Sequence, residues 1–100
     1  MMKYITDFRV RDMVNMPVKD IREKYSDADK KRVMEYFGKF DASLFTSAPV
    51  IDVFTGEQVA DANNGFSDGE YTWYASEVYH FEHYGMKLRT EFLEYVLKAS

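Results

Sequence analysis

The sequence predicts one α+β domain, in which a small antiparallel sheet packs with N-terminal and C-terminal helices. Apolar side chains recur at helical spacing near each end of the chain. The middle of the chain is rich in β-branched and aromatic residues, separated by residues that favour turns. A length of 100 residues is that of a single domain. We therefore expect residues 1–100 to form one compact domain.

The N-terminal segment fits two structures. Residues Lys3–Val10 alternate between two faces, which predicts a fourth strand beside the main sheet. A helix through Ile5, Phe8 and Asp12 fits the same residues almost as well. The pattern favours the strand and leaves the helix open.

Two amphipathic helices are predicted between residues 15 and 40. The first begins at Asn15 and Pro17, because proline is tolerated in the first turn of a helix. Its apolar stripe consists of Val14, Val18, Ile21 and Tyr25. The second helix is capped by Ser26 and ends near Gly38 or Phe40. Its apolar stripe consists of Val33, Tyr36, Phe37 and Phe40.

The middle of the chain predicts a three-stranded antiparallel meander. Pro49–Phe54 is apolar on both faces, as expected of a central strand. Thr55-Gly56 predicts a turn, and Glu57–Ala60 predicts the return strand. The third strand is Glu70–Tyr74, which follows a two-residue hairpin turn at Asp68-Gly69. We expect both central residues of that turn to have positive φ.

Two helices are predicted to close the chain. Ser76 is the expected cap of the first, because its hydroxyl can accept from a free amide of the first turn. Gly85 is the expected residue just beyond its end. Thr90 is the expected cap of the second helix. Its buried stripe consists of Leu88, Phe92 and Val96.

The C-terminal half also carries a recognisable pattern. It reads Asp68-Gly69-x-Tyr71-x-Trp73, followed by Tyr79, Tyr84, Leu88 and Glu91-Phe92. This pattern resembles an uncharacterised class of small bacterial α+β proteins, found on mobile gene cassettes or beside toxin genes. The resemblance covers about half of the chain. It implies a fold and an immunity-like setting, and it carries over no catalytic residue.

Composition excludes several classes of function. The net charge of −4 and the pI near 5.1 argue against nucleic-acid binding, which depends on Lys and Arg at phosphates. The absence of Cys excludes disulfides and thiolate chemistry. The N-terminus has no long apolar run, so neither a signal peptide nor a membrane span is predicted. The expected location is cytoplasmic.

No catalytic motif, cofactor or metal ion is predicted. His80 and His83 lie three residues apart, and Glu77 precedes His80 by three. A zinc site would need a third ligand in defined geometry, and the order of residues found in zinc proteases is absent. The preferred interpretation is that one histidine is exposed and the other forms hydrogen bonds inside the fold.

Two functions of different class follow. The first is a non-enzymatic protein–protein interaction module, immunity-like or adaptor-like, which is also compatible with a homodimer. The second is a small-molecule-binding protein with an aromatic pocket between the sheet and the C-terminal helices. Its polar groups would come from Asp52, Glu70, His80 and Tyr84. Trp73 is also expected to lie in the core. The candidate partner- or ligand-binding residues are Tyr71, Trp73, Tyr74, Tyr79, His80 and Tyr84.

Overall fold

A computed structural model, which describes residues 3–99, contains two small β-sheets and four α-helices within that range. The strands are β1 (Lys3–Tyr4), β2 (Val50–Ile51), β3 (Gln58–Ala60), β4 (Gly65–Ser67) and β5 (Tyr71–Tyr74). The helices are α1 (Val18–Ile21), α2 (Asp27–Phe37), α3 (Ala75–Tyr84) and α4 (Thr90–Ala99). A 3-10 helix spans Val10–Asn15. The predicted α+β class is therefore confirmed.

The sheet arrangement differs from the predicted meander. β5 is the central strand of a mixed sheet, antiparallel to β4 and parallel to β1. β2 and β3 pair only with each other. The chain after β3 leaves the ladder because its backbone bonds elsewhere: Asn63 N donates to Ala48 O, and Asn64 O accepts from Ala75 N. These bonds attach residues 63 and 64 to a loop and to α3, so β3 does not continue into the sheet of β5.

The N-terminal strand is real but shorter than predicted. Only Lys3 and Tyr4 pair with β5, in register with Tyr71 and Thr72. The segment then bends, since the Thr6 hydroxyl donates to Phe8 O. The 3-10 helix follows. The predicted strand is therefore wrong beyond Tyr4, and the alternative helix through Ile5, Phe8 and Asp12 is wrong at Ile5 and Phe8, whereas Asp12 lies in the 3-10 helix.

The first predicted helix is reduced to α1. Val14 and Val18 are exposed, so the predicted stripe buries only Ile21 fully. The helix stops because Glu23 N donates to Gly85 O and Ile21 O accepts from Lys87 N. The backbone therefore pairs with the segment after α3 where the predicted helix would have continued.

Helix α2 agrees with its prediction. The Ser26 hydroxyl caps it by accepting from Asp29 N at 3.1 Å, and the helix ends at Phe37, before Gly38. Val33, Tyr36 and Phe37 are buried, as the spacing predicted.

The Asp68-Gly69 turn and the start of α3 both differ from the prediction. In the hairpin turn only Gly69 has positive φ, and the Asp68 side chain accepts from the amides of Glu70 and Tyr71. Asp68 therefore closes the turn and is not one of a left-handed pair. Helix α3 starts at Ala75, earlier than predicted, because the Glu77 carboxyl accepts from Tyr74 N. Ser76 lies within the first turn.

The core lies between the sheet of β5 and helices α2, α3 and α4. Trp73, Phe81 and Phe92 are fully buried, which confirms the predicted core position of Trp73. Phe37 lies 5.2 Å from Trp73 and 6.0 Å from Phe81, measured between ring centroids. The aromatic side chains thus fill most of the space between the sheet and the C-terminal helices.

Candidate functional site

The six predicted site residues separate into three environments. Tyr71 and Trp73 belong to the core, where the Tyr71 ring lies 4.9 Å from Phe92. Tyr74 is half-buried at the edge of a groove. Of the remaining three, Tyr79 and Tyr84 donate to one buried carboxylate, and His80 bonds to the backbone beside it. The rings of Tyr71 and Trp73 therefore support the fold and are not available as a free surface.

That carboxylate belongs to Asp52. Its Oδ2 accepts from the hydroxyls of Tyr84 at 2.5 Å and Tyr79 at 2.7 Å. Its Oδ1 accepts from the amides of Phe54 at 2.9 Å and Thr55 at 3.1 Å. Burial raises the pKa of Asp52, but these four hydrogen bonds outweigh burial and hold the pKa well below its usual range. The carboxylate is therefore ionised at neutral pH.

His80 is the fourth member of this network. Its Nε2 accepts from Val53 N at 3.2 Å, and Nδ1 therefore carries the proton and donates to Ser76 O at 2.6 Å. Burial lowers the pKa of His80. His83 is exposed, with its Nδ1 3.0 Å from Tyr79 O.

The side-chain hydrogen-bonding atoms of Asp52 and His80 are all occupied within the protein. Each Asp52 oxygen has two donors, and both His80 nitrogens are bonded within the protein. Its role is to fasten the β2–β3 hairpin to α3. Glu70, predicted to join the same polar group, is exposed and pairs with Lys3 at 3.5 Å. Across residues 3–99, no three His, Cys, Asp or Glu side chains group as a metal site.

An open groove lies on the other side of the hairpin strand. Its volume is about 500 Å³, and its walls come from residues 4–12, β2 and the start of α3. Ile51 and Val53 line it, while the Asp52 side chain between them is buried in the network. Tyr74 and Glu77 contribute from the α3 side. The groove and the network thus share a wall.

Glu77 has the most perturbed carboxyl in this groove. It is 8% exposed, and its Oε1 accepts from Tyr74 N at 3.1 Å. Burial raises the pKa of Glu77 to about 7, although the Tyr74 amide and the charge of Arg9 oppose the rise. From the sequence, Glu77 was considered only as a candidate metal ligand. Nothing in its local sequence shows that residues 4–12 fold over it.

A second recess is apolar. It encloses about 310 Å³ between the end of α2, the β4–β5 hairpin and the start of α3. Phe37, Phe40, Phe66 and Trp73 line it. The buried Trp73 Nε1 has no hydrogen-bond partner within the described chain. This recess differs from the predicted aromatic pocket, because it lies beside α2 and its lining contains none of the predicted polar groups Asp52, Glu70, His80 and Tyr84.

Comparisons with protein-family models, curated proteins and solved structures give no match. The resemblance to small bacterial cassette proteins therefore stays a prediction. No helix in the described range is long and apolar enough to cross a membrane. The function has to be inferred from the geometry of this chain.

Proposed function

We propose that the chain is a non-enzymatic interaction module that binds a partner protein. The observation that carries the proposal is a concentration of exposed apolar side chains between α2 and β4. Five such residues are 37% to 75% exposed. We name these five exposed residues, which share the chain segment 44–59, the apolar patch: Leu44, Phe45, Ile51, Phe54 and Val59. Tyr, Phe and other large apolar side chains are the groups that bury most area at interfaces.

The charge around the patch indicates what kind of partner fits. From Phe40 to Met86 the chain has no Lys or Arg, although it has eight Asp and Glu residues. All 13 basic residues lie outside that stretch. Glu57 and Asp61 are exposed beside the patch residues. At the Ile51 edge of the patch the adjoining groove contains Arg9, Arg11 and Arg89, so the acidic side of the patch is the side of Glu57 and Asp61. That acidic side is complementary to a basic surface, and such charges accelerate association.

The fold holds the patch in a defined conformation. The Asp52 network fixes the base of the β2–β3 hairpin, and Phe54 packs 4.7 Å from the Tyr84 ring. Thr46 bonds to Asn63 and Asn64, which fixes the loop that carries Leu44 and Phe45. Preorganisation of this kind reduces the entropy lost on binding. This supports an interface that already has its binding conformation in the free protein.

The same charge pattern argues against self-association through this surface. A two-fold homodimer would place identical acidic sides opposite each other. Like charges in contact cost free energy, whereas a basic partner gains it. The proposal therefore commits to a different protein, in a role like that of an immunity or adaptor protein, as the resemblance to cassette proteins implies.

The test begins with partner capture from the host under cross-linking, followed by kinetics with the purified partner. Phe45→Ser and Phe54→Ser should each weaken binding about tenfold or more. Val18→Ser is the matched control, because Val18 is equally apolar and 64% exposed but lies outside the patch. The association rate should fall as salt rises. Equal losses in all three variants, or a rate independent of salt, would contradict the proposal.

A second candidate function is small-molecule binding in the aromatic recess. The specific observation is the recess of about 310 Å³ lined by Phe37, Phe40, Phe66 and Trp73. Its volume lies within the range of ligand pockets. Trp73 is the only tryptophan, so its fluorescence reports directly on this recess. A ligand screen that leaves Trp73 emission unchanged, and a bound mass absent from native mass spectrometry, would argue against this function.

A further inference from the structure

Glu77 presents a carboxyl oxygen to the groove without a protein partner. Oε1 accepts from Tyr74 N, but no donor in residues 3–99 bonds to Oε2. No cationic side chain in that range lies within ion-pair distance of Glu77. The side chain is more than nine-tenths buried, and it lines the groove. Oε2 is not among the fully buried polar atoms that lack a partner in residues 3–99, so it is open to the groove. A largely buried carboxyl is costly unless it is paired, and a positive group in the groove would pair with this oxygen.

The cap that Glu77 provides to α3 does not explain the charge. A glutamine would accept the same hydrogen bond from Tyr74 N without the cost of burying an ionisable group. Folding alone therefore favours a neutral side chain at this position. A ligand that brings a positive group to Oε2 would supply the missing partner.

Arg9, which also lines the groove, carries the complementary charge. The Arg9 guanidinium lies 4.6 Å from the centre of the Tyr4 ring and donates to its hydroxyl at 3.3 Å. It forms no ion pair with a carboxylate of the described chain. Arg89, which is partly buried, is already paired with Asp7 at 2.8 Å and Glu91 at 3.5 Å. Arg9 and Arg11 are exposed cations of the groove that have no ion pair within residues 3–99. Of these two, Arg9 is the one whose charge acts on Glu77, so it is the cation that we assign to a ligand.

We propose that this groove binds a zwitterionic ligand of the amino-acid or short-peptide class, with its ammonium group at Glu77 and its carboxylate at Arg9. A volume of about 500 Å³ accommodates a ligand of that size. Tyr4 and Tyr74 add aromatic surface beside the two charged groups. The proposed site binds charged groups, whereas the apolar patch binds apolar groups, although Ile51 belongs to both.

Ligand binding should depend on pH, because the ammonium group of the ligand favours the ionised form of Glu77. The charged and titratable groups around Glu77 are those of the groove: Tyr4, Asp7, Arg9, Arg11, Asp12, Tyr74 and Arg89. Of these, Arg9 already favours the ionised carboxylate. Binding of a zwitterion should therefore release protons below pH 7, and calorimetry in buffers of different ionisation enthalpy measures that release.

The experiment uses the full chain with two dipeptides whose side chains are uncharged, alanyl-alanine and leucyl-alanine, followed by NMR and calorimetry up to about 10 mM. Each is compared with its N-acetyl form, which lacks the ammonium, and its C-terminal amide, which lacks the carboxylate. We expect shifts at the amides of Ser76 and Glu77, and about tenfold weaker binding for each blocked form. Glu77→Gln should remove the discrimination against the N-acetyl form, and Arg9→Gln that against the amide.

The matched control is Glu82→Gln, an exposed carboxyl on the same helix, which should leave binding unchanged. Absence of binding by both dipeptides would overturn the proposal. So would binding that ignores both blocking groups, or binding that Glu77→Gln leaves intact. None of these outcomes concerns the apolar patch, whose variants are tested with the protein partner, so the two proposals fail independently.

Discussion

Replacing Glu77 by glutamine should stabilise the protein at alkaline pH and have little effect at acid pH. Glutamine keeps the oxygen that accepts from Tyr74 N and remains neutral throughout. In the folded protein, burial raises the pKa of Glu77 from 4.5 to about 7. At 1.36 kcal/mol for each pH unit, this difference corresponds to about 3 kcal/mol of unfolding free energy. That is a large part of the stability of a typical domain.

The sign follows from proton binding. Between pH 4.5 and about 7 the folded protein holds a proton on Glu77 that the unfolded chain has lost. The stability that this proton provides is complete below pH 4.5 and disappears as pH rises through about 7. Wild type should therefore lose stability over this interval relative to Glu77→Gln. The variant should be about 3 kcal/mol more stable at pH 8 and nearly equal at pH 4.5.

Other groups titrate in the same experiment but cancel in the comparison. The pKa of His80 is lowered by burial, so acidification below 6.5 destabilises wild type and variant alike. The low pKa of Asp52 makes its contribution decline only below 3.8. The assay is urea unfolding at pH 4.5, 6, 7 and 8, a series that brackets the interval between the two Glu77 pKa values. Glu82→Gln controls for surface charge. A stability difference that stays flat across this series, or a less stable variant at pH 8, would refute the reasoning.

Three further predictions concern the fold. Tyr84→Phe removes a hydrogen bond to buried Asp52 and should lower the denaturant midpoint of unfolding, whereas Tyr4→Phe, at an exposed hydroxyl, should change that midpoint much less. Equal losses would contradict the role of the network. Gly85→Ala should cost about 1–2 kcal/mol in thermal unfolding, because φ is +67° and a Cβ would lie 3.1 Å from a backbone oxygen. Gly38→Ala is the control and should be neutral, because φ is −73° and the added Cβ would make ordinary contacts. Phe92→Ala should cost about 3–5 kcal/mol, since the ring is fully buried among four aromatic side chains, and a loss below about 1 kcal/mol would show that the site collapses.

Local patterns predicted the elements whose stability is local. Helix α2 has its cap at Ser26 and its apolar stripe within one continuous segment, so periodicity and capping chemistry suffice. The same holds for the left-handed Gly85 and for the stripe of α4 that includes Phe92 and Val96. In each case the residues that form the element also determine its ends.

The sheet arrangement depends on partners distant in sequence. β1 pairs with β5 across 68 positions, and Asn63 ties the chain after β3 to Ala48 and to the first turn of α3. An alternating pattern shows that a strand is favourable, but it does not identify the neighbouring strand. A meander would join the strands by the shortest connections. The bonds of Asn63 and Asn64 direct the chain elsewhere, so the strands form two sheets.

Helix α3 connects the two regions that carry the functional proposals. Its first turn places Glu77 in the groove, and the following turns place His80 and Tyr84 against the β2–β3 hairpin. Because Ile51 and Val53 line the groove on either side of Asp52, the bonds that hold the hairpin also set the position of the groove wall. Tyr79, His80 and Tyr84, which were predicted as binding residues, lie together as a rigid support for the hairpin. The open chemistry lies at Glu77 and Arg9, which are 68 positions apart and meet only through the fold.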